Sequence, residues 1–134
     1  LIDKLFVRIH CANVDPQGKP RPAAFYNTPE HGSDLSSDWG KYATPQESRA
    51  LIGKQYRFGK TEFKNPLSFY IASFIVKAIY DLNCNQAVEH SPKYQDPEPE
   101  GDPNNRAHTS IIGEKSSEEV RLKMVDIANW EIRP

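Results

Sequence analysis

The spacing of the apolar residues changes along this chain from every second residue to every third or fourth, and this constrains the fold most. In Lys4–His10 the apolar side chains from Leu5 to Ile9 alternate, which is typical of a half-buried strand. After Ser116 they recur at helical spacing as far as Ala128. A 134-residue chain that uses both periods predicts a single small α+β domain over residues 1–134. We expect a mixed β-sheet with two or three helices packed on one face.

A capping box marks the start of one helix. The Thr44 hydroxyl can accept a hydrogen bond from the first turn while Glu47 reaches back to the Thr44 amide. Pro45 suits the first helical position, where no amide hydrogen is needed. The pattern predicts a helix to about Ile52 that ends at Gly53.

Residues 67–82 are compatible with two structures, because their apolar positions fit a helix while many of the residues favour strands. The preferred interpretation is a strand through about Ser73 that leads into a helix ending near Leu82. Short strands are also expected over residues 23–27, 86–90, 106–113 and 130–132. Residues 91–105 hold four prolines and four carboxylates, a composition that predicts a solvated loop.

Charge and apolar content exclude several classes of protein. Seventeen basic and eighteen acidic side chains leave a net charge of −1, without the broad positive field of a nonspecific nucleic-acid binder. No apolar run approaches the roughly 18 residues of a membrane helix, so no membrane partner is expected. Lys4 and Arg8 interrupt the first apolar stretch, which argues against a secretory leader. Two cysteines cannot build a disulfide framework, which indicates the reducing cytoplasm.

One motif suggests catalysis. His108–Ile112 fits the pattern His-x-Ser/Thr-x-apolar of phosphoesterases whose paired motifs aim two histidines at one phosphate. Strand alternation puts His108 and Ser110 on one face, where an imidazole and a hydroxyl could act together. The nearest second copy begins at His10 but has Ala12 in place of the hydroxyl. The alternative is a strand histidine whose ring is bonded to the backbone.

A histidine-based enzyme would need further residues around that motif. His10, His90 and His108 lie on expected strands, and a shared sheet face could gather them. Their separations lack the short intervals typical of metal sites, so neither a metal nor a cofactor is predicted. Ser36 and Trp39 belong to an expected polar-aromatic loop that could hold a ligand or cap the core. The candidate catalytic residues are His10, His108 and Ser110, and the candidate binding residues are Arg8, His90, Arg106, Ser36 and Trp39.

Residues 54–64 interleave cations with aromatic rings. Single-stranded nucleic acid could stack its bases on Tyr56, Phe58 and Phe63. The alternative is an amphipathic strand pair with its aromatic rings in the core and its lysines solvated. That alternative is favoured because the chain has no net positive charge. The cations of the nucleic-acid interpretation are Lys54, Arg57, Lys60 and Lys64.

A series of short segments resembles a known group of proteins. The segments are VRIH at 7–10, GKPRPAAF at 18–25, DLSSDW at 34–39, the Thr44-Pro45 helix start and, later, Ala107-His108 before a capped helix. In this order they are similar to a group of small uncharacterised bacterial proteins, most clearly over residues 5–48. The resemblance implies no reaction, cofactor or substrate.

Three functions follow from these observations. The preferred one is a small non-catalytic binding or accessory protein that recognises a protein partner through its long polar loops. The first alternative is a histidine-based phosphodiesterase or nucleotide-processing enzyme, and the second is a single-stranded nucleic-acid-binding module. Convergence of His10, His90 and His108 on one cleft would favour the enzyme.

Overall fold

Lys4–His10 forms β1, the strand that the alternation predicts, inside an antiparallel sheet. The computed structural model describes residues 3–26 and 34–134. The remaining strands are β2 (Leu35–Trp39), β3 (Phe69–Ile75), β4 (Ala87–His90), β5 (His108–Ile112) and β6 (Asn129–Ile132). Within the described ranges the six strands make one sheet in the order β4-β5-β2-β1-β3-β6.

Three α-helices lie in the described part of the chain: α1 (Pro45–Ile52), α2 (Val76–Asp81) and α3 (Glu118–Ile127). The predicted capping box starts α1. Thr44 Oγ1 accepts from the Glu47 amide at 3.1 Å, and the Glu47 carboxylate accepts from the Thr44 amide at 3.0 Å. The helix ends at Ile52 with Gly53 as its C-cap, as the sequence indicates. None of the helices in residues 3–26 and 34–134 is long and apolar enough to cross a membrane.

We expect the substitution Thr44→Ala to lower the free energy of unfolding by about 1 kcal/mol, because the first turn of α1 loses its side-chain acceptor. Thr44→Ser keeps a hydroxyl in the same place and serves as the matched control. Urea denaturation of the three proteins measures the difference. Equal stability of the alanine and serine variants would contradict the assignment of this cap.

Two local predictions are tested by residues 22–26 and 67–82. The strand that leads into a helix is present, with β3 ending at Ile75 and α2 beginning at Val76. The strand expected over residues 23–27 is wrong for its described part, where Pro22–Phe25 forms a 3-10 turn. Pro22 stands at the first position of this turn, where its fixed φ favours helical geometry. Asn27 lies outside the described residues.

The sheet has one apolar face, which we call the core face. Leu5, Val7 and Ile9 of β1 pack there against Phe74 and Met124. The helices α2 and α3 and the turn Pro22–Phe25 supply the other side of this cluster. The remaining face carries Phe6, Arg8 and His10 from β1, and we call it the cleft face.

The α+β class expected from the sequence is confirmed. Two details differ from a mixed sheet with all helices on one face. All strand pairs among the described residues are antiparallel. Helix α1 contacts the cleft face, because its buried Ser48 donates a hydrogen bond to Asp38 there. A buried hydroxyl needs a hydrogen-bond partner, and the polar face of the sheet supplies one here.

Candidate functional site

His108 lies at the start of β5, on the cleft face. Its partner across the strand pair is Asp38 of β2, and Asp38 in turn pairs with Phe6 of β1. His108 Nδ1 is 2.8 Å from the backbone oxygen of Ser91. Because a carbonyl oxygen only accepts, Nδ1 carries the proton and Nε2 keeps its lone pair in the neutral ring. That Nε2 lies 3.3 Å from Ser36 Oγ.

Burial keeps the His108 ring neutral. Desolvation lowers the pKa of His108 below its ordinary value of 6.5, and the charges of Lys93 and Arg8 act in the same direction. The Ser91 carbonyl and the Asp38 charge oppose this shift without reversing it. At pH 7 the ring is therefore available as a proton acceptor.

Asp38 holds the centre of the site together. Its side chain is 5% exposed, and its Oδ2 lies 3.1 Å from Arg8 Nη2. Asn105 Nδ2 donates to Oδ1 at 2.7 Å, and the Ser48 hydroxyl donates to Oδ2. One carboxylate thus links β1, β2, α1 and the loop before β5. Arg8 Nε is buried beside this network with no hydrogen-bond partner among the described residues.

A cleft of about 460 Å³ opens over this part of the sheet. Its floor includes Arg8, Ser36 and His108, and its walls come from the loops at residues 53–66 and 91–105. Three cations line it, namely Arg8, Lys64 and Lys93. Burial lowers the pKa of Lys64 first, and the positive charges of Arg8 and Lys93 lower it further. Lys64 is thus close enough to Arg8 and Lys93 to be repelled by both.

Carboxylates compensate two of these three charges. Asp38 pairs with Arg8, and Asp102 Oδ1 lies 2.5 Å from Lys93 Nζ. Lys64 Nζ instead contacts the neutral Gln55 Oε1 at 3.4 Å. No salt bridge to Lys64 occurs in the part of the chain that the structure describes. Lys64 is therefore the one cation of the three without a salt bridge among the described residues, and Asp34 is a third carboxylate in the lining.

Two other predicted residues, Ser110 and His10, share the cleft face with His108. Ser110 Oγ is 3.0 Å from Ser91 Oγ, which itself lies 3.0 Å from His108 Nδ1. His10 is at the far end of β1, where its ring packs edge-on against Phe69 and its Nδ1 accepts from the Ala12 amide at 3.1 Å.

His10 does not reach the cleft around His108. Two strand spacings and four residues of rise separate the two histidines, so their Cα atoms are roughly 16 Å apart. One phosphate cannot contact both rings at that separation. The two-histidine arrangement of the phosphoesterase interpretation is therefore not formed, although the individual site predictions stay predictions.

His90, Trp39 and Arg106 all contact the ring of Tyr42. The His90 ring stacks on Tyr42 at 5.4 Å, and its Nε2 is 2.7 Å from the Arg106 backbone oxygen. Arg106 places its guanidinium 4.0 Å from the Tyr42 ring centre. His90 pairs with Thr109, whose side chain points to the core face, so His90 projects away from His108. The three histidines do not converge, and the described residues contain no His/Cys/Asp/Glu group suited to a metal ion.

The segment at residues 54–64 is a loop closed by one antiparallel bridge, Tyr56 with Phe63. The expectation that its aromatic rings belong to the core is wrong for Phe58 and Phe63, which are 83% and 50% exposed. They are exposed because the loop lies over the cleft edge and has no layer packed outside it. Lys64, predicted as a nucleic-acid contact, lines the cleft.

Sequence reasoning missed Asp38, Lys93 and Asn105 as parts of the site. The loop expected around Ser36 and Trp39 is wrong, because Leu35–Trp39 forms β2 and pairs with β1 and β5. Recognition of that strand would have identified Asp38, since Ser36 and Asp38 alternate along it and share a face. Lys93 and Asn105 are brought in by the loop, whose isolated bridge between these two residues has no local sequence pattern. Comparisons with protein-family models, curated proteins and solved structures find no match for this chain.

Proposed function

We propose that the protein binds a small anionic ligand, one that carries a phosphate or carboxylate group, in the cleft. The observation that carries this proposal is the convergence of Arg8, Lys64 and Lys93 on one cavity, where Lys64 makes no salt bridge with a described residue. The proposal keeps the sequence-based prediction that loops make the contacts, since two loops supply the walls, but the partner proposed for the cleft is a small molecule and not a protein. A volume of about 460 Å³ suits a small molecule.

The electrostatics of the cleft favour an anion over a neutral ligand. Asp38 holds the Arg8 guanidinium in place, which lowers the entropy that binding would cost. Lys64 is half-buried among like charges, and an anion would relieve both its desolvation and its repulsion. Charge-assisted hydrogen bonds from such groups are roughly twice as strong as neutral ones.

Recognition of a protein partner by the same loops is a second candidate function. Phe58 and Tyr94, one on each wall loop, are 83% and 76% exposed. Exposed aromatic side chains are typical anchors of protein interfaces. A ligand in the cleft and a partner on the loop tips would be compatible.

Titration with inorganic phosphate at low ionic strength, followed by amide chemical shifts, tests the proposed ligand class. We expect Lys64→Gln to weaken phosphate binding by about tenfold or more, because one charge-assisted hydrogen bond is lost. Once the phosphate is present as its dianion, binding should weaken as the pH rises further toward the lowered pKa of Lys64, since the neutral amine no longer attracts an anion.

The control for this titration is Lys77→Gln, which removes an equal charge from an exposed position on α2. Its phosphate affinity should match that of the unmodified protein. Equal weakening by both variants would indicate nonspecific attraction. Such a result, or an absence of phosphate-induced shifts around Arg8 and Lys64, would overturn the proposal.

A further inference from the structure

Ser36 is an exposed serine whose hydroxyl faces the unprotonated nitrogen of His108. The Oγ to Nε2 distance is 3.3 Å, close to the range of a nucleophile and its base in a free enzyme. We propose that Ser36 is a nucleophile, that His108 is its general base, and that the cleft hydrolyses carboxylic esters whose acyl chain ends in an anionic group. This inference rests on the proposed function for its anion-binding part.

A third group orients the base. The Ser91 carbonyl accepts from His108 Nδ1–H at 2.8 Å, which fixes the tautomer and turns Nε2 toward Ser36. In serine hydrolases a carboxylate holds this place. Here a carbonyl does so, and the Asp38 charge nearby favours the imidazolium that forms during the reaction. The neutral resting state of His108 suits a base at pH 7.

Arg8 brings a further hydrogen-bond donor to the same part of the sheet. Antiparallel pairing of Phe6 with Asp38 carries Arg8, two residues further along β1, to the level of Ser36 on the same face. Arg8 Nη2 is engaged by Asp38, but its buried Nε–H has no partner among the described residues. In the proposal, the Arg8 guanidinium stabilises the oxyanion of the tetrahedral intermediate, as positioned donors do in such sites.

Lys64 and Lys93 are the groups that bind the anionic end of the substrate in this proposal. Both line the same cavity as Ser36, and the half-buried Lys64 lacks a carboxylate partner in the described part of the chain. An acyl chain with a terminal carboxylate could reach this ammonium group while its ester carbonyl lies at Ser36. The charge would orient the ester without taking part in bond making.

The reaction needs only ester and water. In acylation Ser36 Oγ bonds to the ester carbonyl carbon and passes its proton to His108 Nε2. The intermediate collapses as the bond to the alcohol oxygen breaks, and the departing alcohol takes the proton from Nε2. In the second half water attacks the acyl carbon, Nε2 takes a proton from water, and that proton returns to Ser36 Oγ as the acid leaves.

The test uses the mono-4-nitrophenyl ester of adipic acid and the neutral 4-nitrophenyl hexanoate. We expect a burst of nitrophenolate from the adipate ester, an adipyl group on the peptide that contains Ser36, and a slower reaction with the hexanoate. Ser36→Ala and His108→Gln should each lower the rate by about 100-fold or more. The rate should fall in acid with an apparent pKa below 6.5, as His108 becomes protonated.

Controls separate chemistry from folding and binding. Ser117→Ala removes an exposed hydroxyl at the start of α3, outside the cleft, and should react at the unmodified rate. Circular dichroism checks the fold of each variant, and adipate titration of Ser36→Ala checks that the anion still binds.

Each result bears on a different part of the inference. Adipate binding without ester hydrolysis, an adipyl group on another side chain, or full activity of Ser36→Ala would overturn the nucleophile and leave the proposed function standing. Hydrolysis at Ser36 with no preference for the adipate ester would overturn the assigned substrate class. Failure of both adipate and phosphate to bind would overturn the proposed function itself.

Discussion

Replacing Asp38 by alanine is expected to lower the free energy of unfolding by about 3–5 kcal/mol. The carboxylate is 5% exposed and satisfies three donors, from Arg8, Ser48 and Asn105. Its removal leaves the Arg8 charge without its carboxylate and leaves the Ser48 hydroxyl unsatisfied in the interior. Both effects act on the folded state alone. Urea denaturation at pH 7 measures the loss.

The matched control is Asp81→Ala, which breaks an exposed pair with Lys77 on α2. Exposed pairs of this kind contribute about 0.2–1 kcal/mol. A second variant, Asp38→Asn, keeps the shape and one acceptor, so its loss should lie between the other two. A loss for Asp38→Ala no larger than for Asp81→Ala would show that the network does not hold the fold together.

The same substitution connects the fold with the site. Asp38 positions the Arg8 guanidinium at the cleft floor, so Asp38→Asn should also weaken phosphate binding where the protein remains folded. The direction of this change in phosphate affinity is informative, because removing a negative charge from a cleft would by itself strengthen anion binding. Weaker binding would therefore mean that the position of Arg8 matters more than the net charge.

The sequence predicts those parts of the fold that depend on neighbouring residues. Alternation in Lys4–His10 and the capping box at Thr44 act within a few residues, and both structures form as expected. Pro22–Phe25 was misjudged because a proline start competes with the strand preference of Phe25. The antiparallel sheet depends on pairing between distant segments, such as β1 with β3, for which the chain carries no local pattern.

Part of the candidate site could be named from the sequence, and the rest depends on strand pairing between distant segments. His108, Ser36 and Arg8 were singled out from residue chemistry, and strand pairing brings them to one cleft. Pairing also puts Ser36, rather than the motif residue Ser110, beside Nε2 of His108. Alternation predicts which face of the sheet a side chain occupies but not how far apart two side chains on that face lie. The separation of His10 from the site therefore could not be predicted from the sequence.

Raising the pH from 7 to 9.5 is expected to stabilise the protein by about 2 kcal/mol through Lys115. Lys115 is fully buried, and its Nζ donates to the carbonyl oxygens of Ile111 and Gly113, each at 2.7 Å. Burial lowers the pKa of Lys115 from 10.5 to about 8, although the charges of Asp34 and Glu114 act in the opposite direction.

The direction in which stability changes with pH follows from the number of protons that each state binds. Below pH 8 both states are protonated, and the folded state carries the full cost of the buried charge, about 3 kcal/mol. Between pH 8 and 10.5 the unfolded chain holds more protons than the folded protein, so stability rises with pH. Lys64 adds a contribution of the same sign, because its pKa is also lowered by burial.

Comparison of Lys115→Met with the unmodified protein isolates this residue. Urea denaturation at several pH values between 7 and 9.5 should show a smaller rise in stability for the variant, by about 2 kcal/mol over the interval. Lys123→Met, at a partly exposed position on α3, should keep the full rise. Parallel pH profiles for the Lys115 variant and the unmodified protein would mean that Lys115 titrates in the folded state as it does in water, against the burial that the structure shows.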